Sequence, residues 1–378
     1  MQVRFLPSFP PIFFGLGAVG KIGEALATTN ITKPLIITDK GLVEYGVLNH
    51  LTESIPSNID FYVFDDIPEN PTILGVENSL NAYKENGCNG IIALGGGSVL
   101  DSGKALRVIT NQDGRLHLYL KDPSKITADV APYITIPSTA GTGAEITWGG
   151  GIHPDVDTPA FGLRSSYLKP DIAICDPEIT RTLPPKLTAA TGMDAITHCV
   201  EGYLSNNYNP ISEAVALDGI KRAINYIGRA FRNGKDMEAR ENMSMAAIQG
   251  GIAIEMGLGP IHALSMAFSD APLHHGTLVT VSMPAVMRFY NGLKGDKLDK
   301  VAIAMGLPEG DNSGNRIAEK IEELNLEMSL PSTVRQMGYK KNDLGRMIED
   351  ASSSHFNLPA PKKPTKEDYK IIIEEVLG

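Results

Sequence analysis

The stretch PDIAICDPEITRTLPP, residues 170–185, separates two parts of the chain that differ in composition. Before it, short β-rich runs alternate with helical patterns. After it, alanine, methionine, leucine and glutamate dominate, and helical patterns follow one another to the last residue. The pair Pro184-Pro185 suits a helix entry, because proline in the first turn loses no needed hydrogen-bond donor. We therefore expect two domains, residues 1–178 and 179–378.

The first part has the pattern of a mainly parallel sheet covered by helices. Apolar, strand-like runs occur at 33–41, 59–67, 89–98 and 131–143. Residues 73–87 carry helical spacing and stop at a glycine, and such alternation of strands and helices is typical of parallel α/β sheets. Helical patterns in the second part include 212–231, 239–254 and 313–328. The sequence thus predicts an α/β N-terminal domain and an all-α C-terminal domain.

The composition narrows the class of protein. A chain of 378 residues is too long to fold around a single compact hydrophobic core. Its fractions of hydrophobic residues, 42%, and charged residues, 21%, are ordinary for a globular protein. A net charge of −10 argues against a nucleic-acid surface. No apolar stretch is long enough to span a bilayer. Three cysteines, Cys88, Cys175 and Cys199, form no disulfide framework, so we expect a reduced, cytoplasmic protein without membrane or nucleic-acid partners.

Two glycine-rich loops follow predicted strands. GGGSVLDSGKA (95–105) opens a helix, where backbone amides and the helix dipole favour an anion such as pyrophosphate. The loop lacks the G-x-G-x-x-G fingerprint, and a tight turn with Ser98 as helix cap is the alternative. PSTAGTGAE (137–145) places hydroxyl groups beside glycines after another strand. Loops at the ends of neighbouring parallel strands face one crevice, which predicts a dinucleotide site.

Asp39 ends the apolar run LIITD (35–39). An acidic residue at that place accepts hydrogen bonds from a ribose 2′-hydroxyl, and it favours NAD over NADP because a 2′-phosphate would meet a like charge. Capping of the strand end is the alternative role for this side chain.

A carboxylate and several histidines suggest a metal site in the second part. Asp194 and His198, within TGMDAITHCVEGY (191–203), are spaced to share one helical face. His262 lies just inside a helix that Pro260 can open, and the pair His274-His275 precedes Gly276. A carboxylate with imidazoles from two segments is a suitable first shell for a divalent transition metal, whereas a buried hydrogen-bonded pair is the simpler alternative for Asp194 and His198.

Four motifs together resemble those of the iron-containing alcohol dehydrogenases. They are GGGSVLDSGKA, PSTAGTGAE, CDPEITRTLPPKLTAATGMDAITHCVEGYLSNNYNP and GLGPIHALS…HHG, and they occur in the family's order over essentially the whole chain. The resemblance implies the dehydroquinate synthase-like architecture, in which an α/β dinucleotide-binding domain and a helical domain flank an active-site cleft. It implies metal ligation by Asp194, His198, His262 and His275. It assigns contacts with the dinucleotide to Asp39, Asn70, Gly96, Gly97, Ser98, Ser138, Thr139, Thr142 and Thr147.

The implied chemistry is hydride transfer between NAD(H), with NADP(H) as a variant, and a small alcohol, aldehyde or ketone. A bound Fe²⁺ or Zn²⁺ acts as a Lewis acid on the substrate oxygen, and the nicotinamide gives or takes the hydride. Three histidines and one aspartate suit either metal. Family members usually form dimers or larger homo-oligomers, which we also expect here.

The chain departs from the family pattern near the predicted chemistry. Most members carry a histidine where this chain has Met266, and a lysine near the position of Ala160. His274 is our candidate to replace the missing proton-transfer histidine, and Arg164 is the candidate to replace the lysine. The segment before the HG pair is also about one residue shorter than in many members, which leaves His274 as a competitor of His275 for the metal.

Three functions are compatible with these features. The first is an NAD-dependent, metal-containing alcohol dehydrogenase, favoured because all four ligands and both glycine loops are present. The second is a zinc polyol or sugar-acid dehydrogenase of the same superfamily. The third is a protein that binds cofactor and metal with little turnover, as the two departures would allow.

Overall fold

A computed structural model describes residues 6, 8–112, 115–155 and 158–378. These residues separate into two compact units, with the division between Leu183 and Pro184. The predicted α/β first part and all-helical second part are confirmed. Within the described ranges, no helix is both long and apolar enough to cross a membrane.

The division lies a few residues beyond the boundary that we expect from composition. The short 3₁₀-helix Pro177–Thr180 starts after Asp176, whose Oδ1 accepts a hydrogen bond from the N–H of Glu178 at 3.0 Å. Asp176 Oδ2 also accepts from the N–H of Val19 at 3.0 Å. The carboxylate thus ties this turn to the beginning of the first unit.

The first unit is built on a parallel sheet. Its strands are β1 (Ile12–Phe14), β2 (Pro34–Ile37), β3 (Tyr62–Phe64), β4 (Gly90–Gly95), β5 (Tyr133–Pro137), β6 (Gly149–Ile152), β7 (Phe161–Arg164) and β8 (Ile172–Cys175). Among the described residues, six strands form one sheet in the order β1-β8-β5-β4-β2-β3, and every neighbouring pair is parallel. Strands β6 and β7 form a separate antiparallel pair.

Helices cover both faces of this sheet. They are α1 (Ile22–Thr28), α2 (Lys40–Glu44), α3 (Val47–Thr52), α4 (Ile73–Glu85), α5 (Gly97–Asn111) and α6 (Leu116–Lys121). Successive strand residues point to opposite faces, so Leu35 and Ile37 enter one apolar cluster and Ile36 enters the other. Burial on both faces explains why these strands read as continuous apolar runs in the sequence.

The second unit is helical throughout its regular structure. Its helices are α7 (Pro185–Leu204), α8 (Pro210–Arg232), α9 (Met237–Ile254), α10 (Pro260–Ala267), α11 (His275–Phe289), α12 (Lys297–Ala304), α13 (Ser313–Glu327), α14 (Leu344–Ser353) and α15 (Lys366–Leu377). A 3₁₀-helix, His355–Asn357, follows α14.

Helix α7 is the centre of this unit. Every residue from Thr188 to Leu204 is buried, and α8, α9, α11 and α12 pack around it. The helix therefore shows no polar face, which is the expected pattern for a helix surrounded by others. Small residues permit the close packing: a Cβ on Gly202 would lie 2.5 Å from the carbonyl oxygen of Ala253 on α9. Polar side chains on α7 are thus held rigidly inside the unit.

Candidate functional site

The four predicted metal-ligating side chains gather around one carboxylate oxygen of the helical unit. Asp194 and His198 lie one turn apart on α7, with His198 Nε2 at 3.4 Å from Asp194 Oδ1. His262 on α10 and His275 at the start of α11 bring Nε2 to 3.9 Å and 4.0 Å from the same oxygen. One ligand atom each from Asp194, His262 and His275 all lie within 4.8 Å of one another. Three helices therefore converge on one point.

Two of these atoms are buried polar atoms whose hydrogen-bonding capacity is not used within the described ranges. Asp194 Oδ1 and His262 Nε2 have no hydrogen-bond partner among the described residues, and both side chains are only 3% exposed. Buried polar atoms are nearly always paired. A divalent transition metal would pair both, since carboxylate oxygen and imidazole nitrogen are ligands of Fe²⁺ and Zn²⁺. The residues present fit a metal ion.

Electrostatics at the cluster also suit a cation. Burial raises the pKa of Asp194, and the neighbouring imidazoles of His275 and His262 partly oppose this shift. The ring of His275 is 52% exposed, yet desolvation around it lowers its pKa to about 4, against the attraction of Asp194. A lowered pKa favours the uncharged imidazole, which is the form that binds a metal. His275 also marks the side on which the cluster opens to solvent.

Glu201 lies beside the cluster and was missed by the sequence analysis. Its Oε2 is 2.6 Å from His262 Nδ1, and its Oε1 accepts a hydrogen bond from the N–H of Ile261 at 2.7 Å. The spacing of Asp194, His198 and Glu201 places all three on one face of α7, and that signal could have revealed the third member.

His274 has a structural role at the start of α11. The backbone N–H of Thr277 donates to His274 Nδ1 at 3.3 Å, so this imidazole caps the helix. An amide N–H can only donate, and Nδ1 is therefore unprotonated in this arrangement. The neighbouring His275, and not His274, approaches Asp194. The proton-transfer role of His274 stays a prediction.

Apolar groups border His262. Met266, which stands in place of the family histidine, lies one turn further along α10 and is half-buried. The ring of Phe356 meets the His262 ring edge-on with centroids 5.9 Å apart. The exposed His355 ring lies tilted against Phe356, with ring centroids 4.2 Å apart. One wall beside His262 is thus aromatic and aliphatic, with an imidazole at its outer end.

The predicted dinucleotide residues meet at one edge of the first unit's sheet. Strands β5, β4 and β2 are neighbours, and their carboxyl ends lead into the two glycine loops and Asp39. The loops touch: a Cβ on Gly97 would lie 2.9 Å from Thr142 Cγ2, and one on Gly96 would lie 3.3 Å from Thr139 Cγ2. The amides at the start of α5 open at this edge, as in phosphate-binding loops.

Several hydroxyl groups of these loops are engaged within the unit. Ser98 donates to the carbonyl oxygen of Glu69, which places the exposed Asn70 next to the loop. Thr142 accepts from the N–H of Ala144 at 3.2 Å. The backbone of the second loop is also held, because the N–H of Ser138 donates to the carbonyl oxygen of Gly95 at 2.9 Å. These bonds shape the loops that would hold the dinucleotide.

Asp39 and Thr147 each have a partner in the chain. Asp39 Oδ1 accepts from the N–H of Leu42 at 3.0 Å and so caps α2. Thr147 Oγ1 accepts from Lys104 Nζ at 3.0 Å. The nucleotide contacts assigned to Asp39 and Thr147 stay predictions, as do those of the loop residues.

Lys104 organises the β6–β7 pair, a feature that sequence analysis missed. Its buried Nζ bonds Asp101 at 3.1 Å and the carbonyl oxygen of Gly149 at 2.6 Å. The pair also brings Arg164 over the ring of Trp148, with the guanidinium carbon 5.3 Å from the ring centroid. Ala160 is exposed just before β7. Replacement of the family lysine by Arg164 stays a prediction.

Comparison with known proteins covers both units. The family model for iron-containing alcohol dehydrogenase matches residues 10–177, and that for the C-terminal region of the Fe-containing alcohol dehydrogenase family matches residues 188–377. The 4-hydroxybutyrate dehydrogenase of Cupriavidus necator is 37% identical over 99% of this chain and 100% of its own length. The NAD-dependent methanol dehydrogenase of Bacillus methanolicus is 30% identical over 99% of both chains. A crystal structure of 1,3-propanediol oxidoreductase superposes with a TM-score of 0.92 at 28% identity, covering 99% of this chain and 100% of the other.

Proposed function

The chain belongs to the iron-containing alcohol dehydrogenase family, and from that premise we propose that Asp194, His198, His262 and His275 hold its catalytic iron. The protein is an NAD-dependent oxidoreductase of small alcohols and aldehydes. The observation that carries the proposed site is a pair of buried atoms, Asp194 Oδ1 and His262 Nε2, for which the described part of the chain offers no hydrogen-bond partner. Zinc would suit the same ligands, and metal analysis of anaerobically purified protein distinguishes the two.

Residues of both units would have separate roles in binding the metal, the dinucleotide and the substrate. When bound, iron supplies Lewis acidity toward the substrate oxygen and NAD supplies the hydride acceptor. The half-exposed His275 lies on the side from which a substrate would reach the cluster. Asp39, at the end of β2, would accept from the ribose hydroxyls and select NAD. The start of α5 would receive the pyrophosphate, with Gly97 allowing the close approach.

We propose a short ω-hydroxy acid, with its semialdehyde, as the substrate class. The relative from Cupriavidus necator, a 4-hydroxybutyrate dehydrogenase, motivates this choice. Met266 and Phe356 give the wall beside His262 an apolar character that suits a methylene chain, and the exposed His355 at its outer end suits a distant carboxylate.

A substrate panel tests this proposal. Rates of NAD⁺ reduction are compared for 4-hydroxybutyrate, 1,3-propanediol, 1-butanol and methanol, using the iron-loaded protein. The proposal expects the highest kcat/KM for 4-hydroxybutyrate. It further expects His355→Ala to raise KM for 4-hydroxybutyrate without a matching rise for 1-butanol. Equal kcat/KM for the acid and for 1-butanol would contradict the substrate class while leaving the iron site standing.

We also propose a homo-oligomer and a cytoplasmic location. Among the described strands β1 is at one end of the sheet, near the exposed side chains of Phe9 and Leu16, and an edge strand with apolar neighbours favours association with a second chain. The three cysteines are free and buried, as is usual in a reducing compartment. Light scattering on the eluting protein would measure the oligomeric state.

A further inference from the structure

One carboxylate holds the helix that carries His262. Glu201 on α7 has a side chain that is 1% exposed, and each of its oxygens makes a hydrogen bond with α10. Oε1 receives the N–H of Ile261 at 2.7 Å, and Oε2 lies 2.6 Å from Nδ1 of His262. Two consecutive residues at the start of α10 are therefore fixed by the same side chain.

The start of α10 is built to receive this carboxylate. Pro260 occupies the first helical position and has no N–H, and the preceding Gly259 makes no side-chain cap. Ile261 thus offers the first free amide, and a negative group at a helix N-terminus is favourable. A Cβ on Gly259 would lie 2.7 Å from Glu201 Oε1, so the glycine permits the close approach.

A carboxylate at this position would determine which nitrogen of His262 carries the proton. An ionised carboxylate can only accept, so the close contact between Glu201 Oε2 and Nδ1 requires an Nδ1–H donor. The other nitrogen, Nε2, then presents its lone pair. That is the buried atom, 3.9 Å from Asp194 Oδ1, which has no hydrogen-bond partner among the described residues.

We propose that Glu201 is a positioning residue of the metal site, which holds His262 in the Nδ1–H tautomer and aims Nε2 at the cluster. The proposal rests on the proposed function, because the cluster must hold a metal for the position of Nε2 to matter. Carboxylate partners of metal-bound histidines typically contribute about 10-fold to 100-fold in metal affinity. Glu201 is expected to contribute within that range.

The substitution Glu201→Gln tests the tautomer directly. The amide oxygen of the glutamine is expected to accept the hydrogen bond from the backbone N–H of Ile261, because that N–H can only donate. Its NH₂ group then faces Nδ1 of His262 and donates, which moves the imidazole proton to Nε2, where it blocks the ligand atom. We therefore expect this isosteric change to weaken Zn²⁺ binding by about 10-fold to 100-fold.

Two measurements on the full chain determine the tautomer of His262 and the affinity for Zn²⁺. The ¹⁵N shifts of histidine-labelled, metal-free protein report the protonated nitrogen, with His262 assigned from its absence in His262→Ala. Competition with a chelator gives the Kd for Zn²⁺. Glu213→Gln is the matched control, because the Glu213 carboxylate on α8 pairs with Lys297 at 3.0 Å and makes no contact with the cluster. Glu213→Gln should change neither the protonated nitrogen of His262 nor the Kd for Zn²⁺.

The outcomes separate the two claims. A proton on Nδ1 in the wild-type protein and on Nε2 in Glu201→Gln, with weaker Zn²⁺ binding, supports the proposal; an unchanged tautomer and Kd overturn it. If Glu201→Gln does not fold, Glu201→Asp replaces it, and a wild-type Kd in that shortened variant overturns the positioning claim. A wild-type protein that binds no Zn²⁺ or Fe²⁺ despite an Nδ1–H proton would contradict the proposed function, and with it the effect on affinity.

Discussion

Replacing Asp194 by asparagine is expected to stabilise the metal-free protein and to destabilise the metal-loaded protein. The amide has the shape of the carboxylate, so packing around α7 is preserved. In the metal-free state the substitution removes a buried acid whose Oδ1 has no hydrogen-bond partner among the described residues. In the loaded state it removes the one anionic ligand among three imidazoles. The change in the free energy of unfolding caused by Asp194→Asn should therefore have opposite signs in the metal-free and the metal-loaded protein.

The structure sets the size of both effects. Leaving a buried acceptor unsatisfied costs about 1–3 kcal/mol. In Asp194→Asn the amide NH₂ can take the place of Oδ1 and donate to the lone pair of His262 Nε2, which should return this free energy to the metal-free protein. That gain corresponds to roughly 2–4 °C in Tm for each kcal/mol in a unit of this size. With free metal at about 100 times Kd, the wild-type protein gains about 2.7 kcal/mol from binding, and the variant should lose most of it.

Urea unfolding of chelator-treated protein, with and without added Zn²⁺, measures both free energies. Asp218→Asn is a suitable control, because the Asp218 carboxylate on α8 is already paired with Arg222 at 2.6 Å and Gln249 at 2.7 Å. Its loss should lower stability by up to about 1 kcal/mol in either condition. If metal-free Asp194→Asn is destabilised like this control, Asp194 is a structural acceptor and the reasoning about the site is refuted.

Three further substitutions test the metal cluster of the second unit and the dinucleotide loops of the first. His262→Ala should abolish stoichiometric metal and turnover yet keep NAD⁺ binding, since the dinucleotide loops belong to the first unit; retained metal on elemental analysis would remove His262 from the ligand set. Asp39→Gly should reduce the ratio of kcat/KM for NAD⁺ to that for NADP⁺, and an unchanged ratio would reject the ribose role. Gly97→Ala should weaken NAD⁺ binding about tenfold in a fluorescence titration, because its Cβ would lie 2.9 Å from Thr142 Cγ2 and overpacking costs about 1–3 kcal/mol. Gly20→Ala, at a site where a Cβ meets nothing within 4 Å, should bind NAD⁺ normally.

Local patterns were sufficient to predict most of the fold. The strands that contain Leu35 and Ile91 are apolar on both faces because both faces are buried. A continuous apolar run of this kind can be recognised in the sequence alone. The pair β6–β7 is different, since three glycines have little strand propensity. It is held by contacts distant in sequence, including the N–H of Gly151 donating to Asp101 at 3.0 Å. A Cβ on Gly150 would lie 2.7 Å from the Asp101 carboxyl carbon, and no local pattern conveys that constraint.

The site divides in the same way. Asp194 and His198 share a helical face, so their spacing alone suggested a pair. Residue types alone suggested that His262 and the pair His274-His275 belong to the same metal site. The specific set of four ligands came from the family resemblance, because residues on separate helices have no fixed spacing. The choice of His275 over His274 depends on where α11 begins, and element boundaries are poorly determined by sequence. Glu201 was overlooked although it lies on the same helical face as Asp194. The sequence does not show that its carboxylate contacts His262, because that residue lies on another helix.

The central claim is that the four-residue cluster holds the iron on which NAD-dependent turnover depends. The most direct test is an anaerobic titration of metal-free protein with Fe²⁺, in which the rate of NADH formation from 4-hydroxybutyrate or another active alcohol is recorded at each addition. The account predicts a rate near zero without metal that rises linearly and breaks at about one Fe²⁺ per chain, with no rise in His262→Ala. Turnover that is equal before and after addition of metal would contradict it.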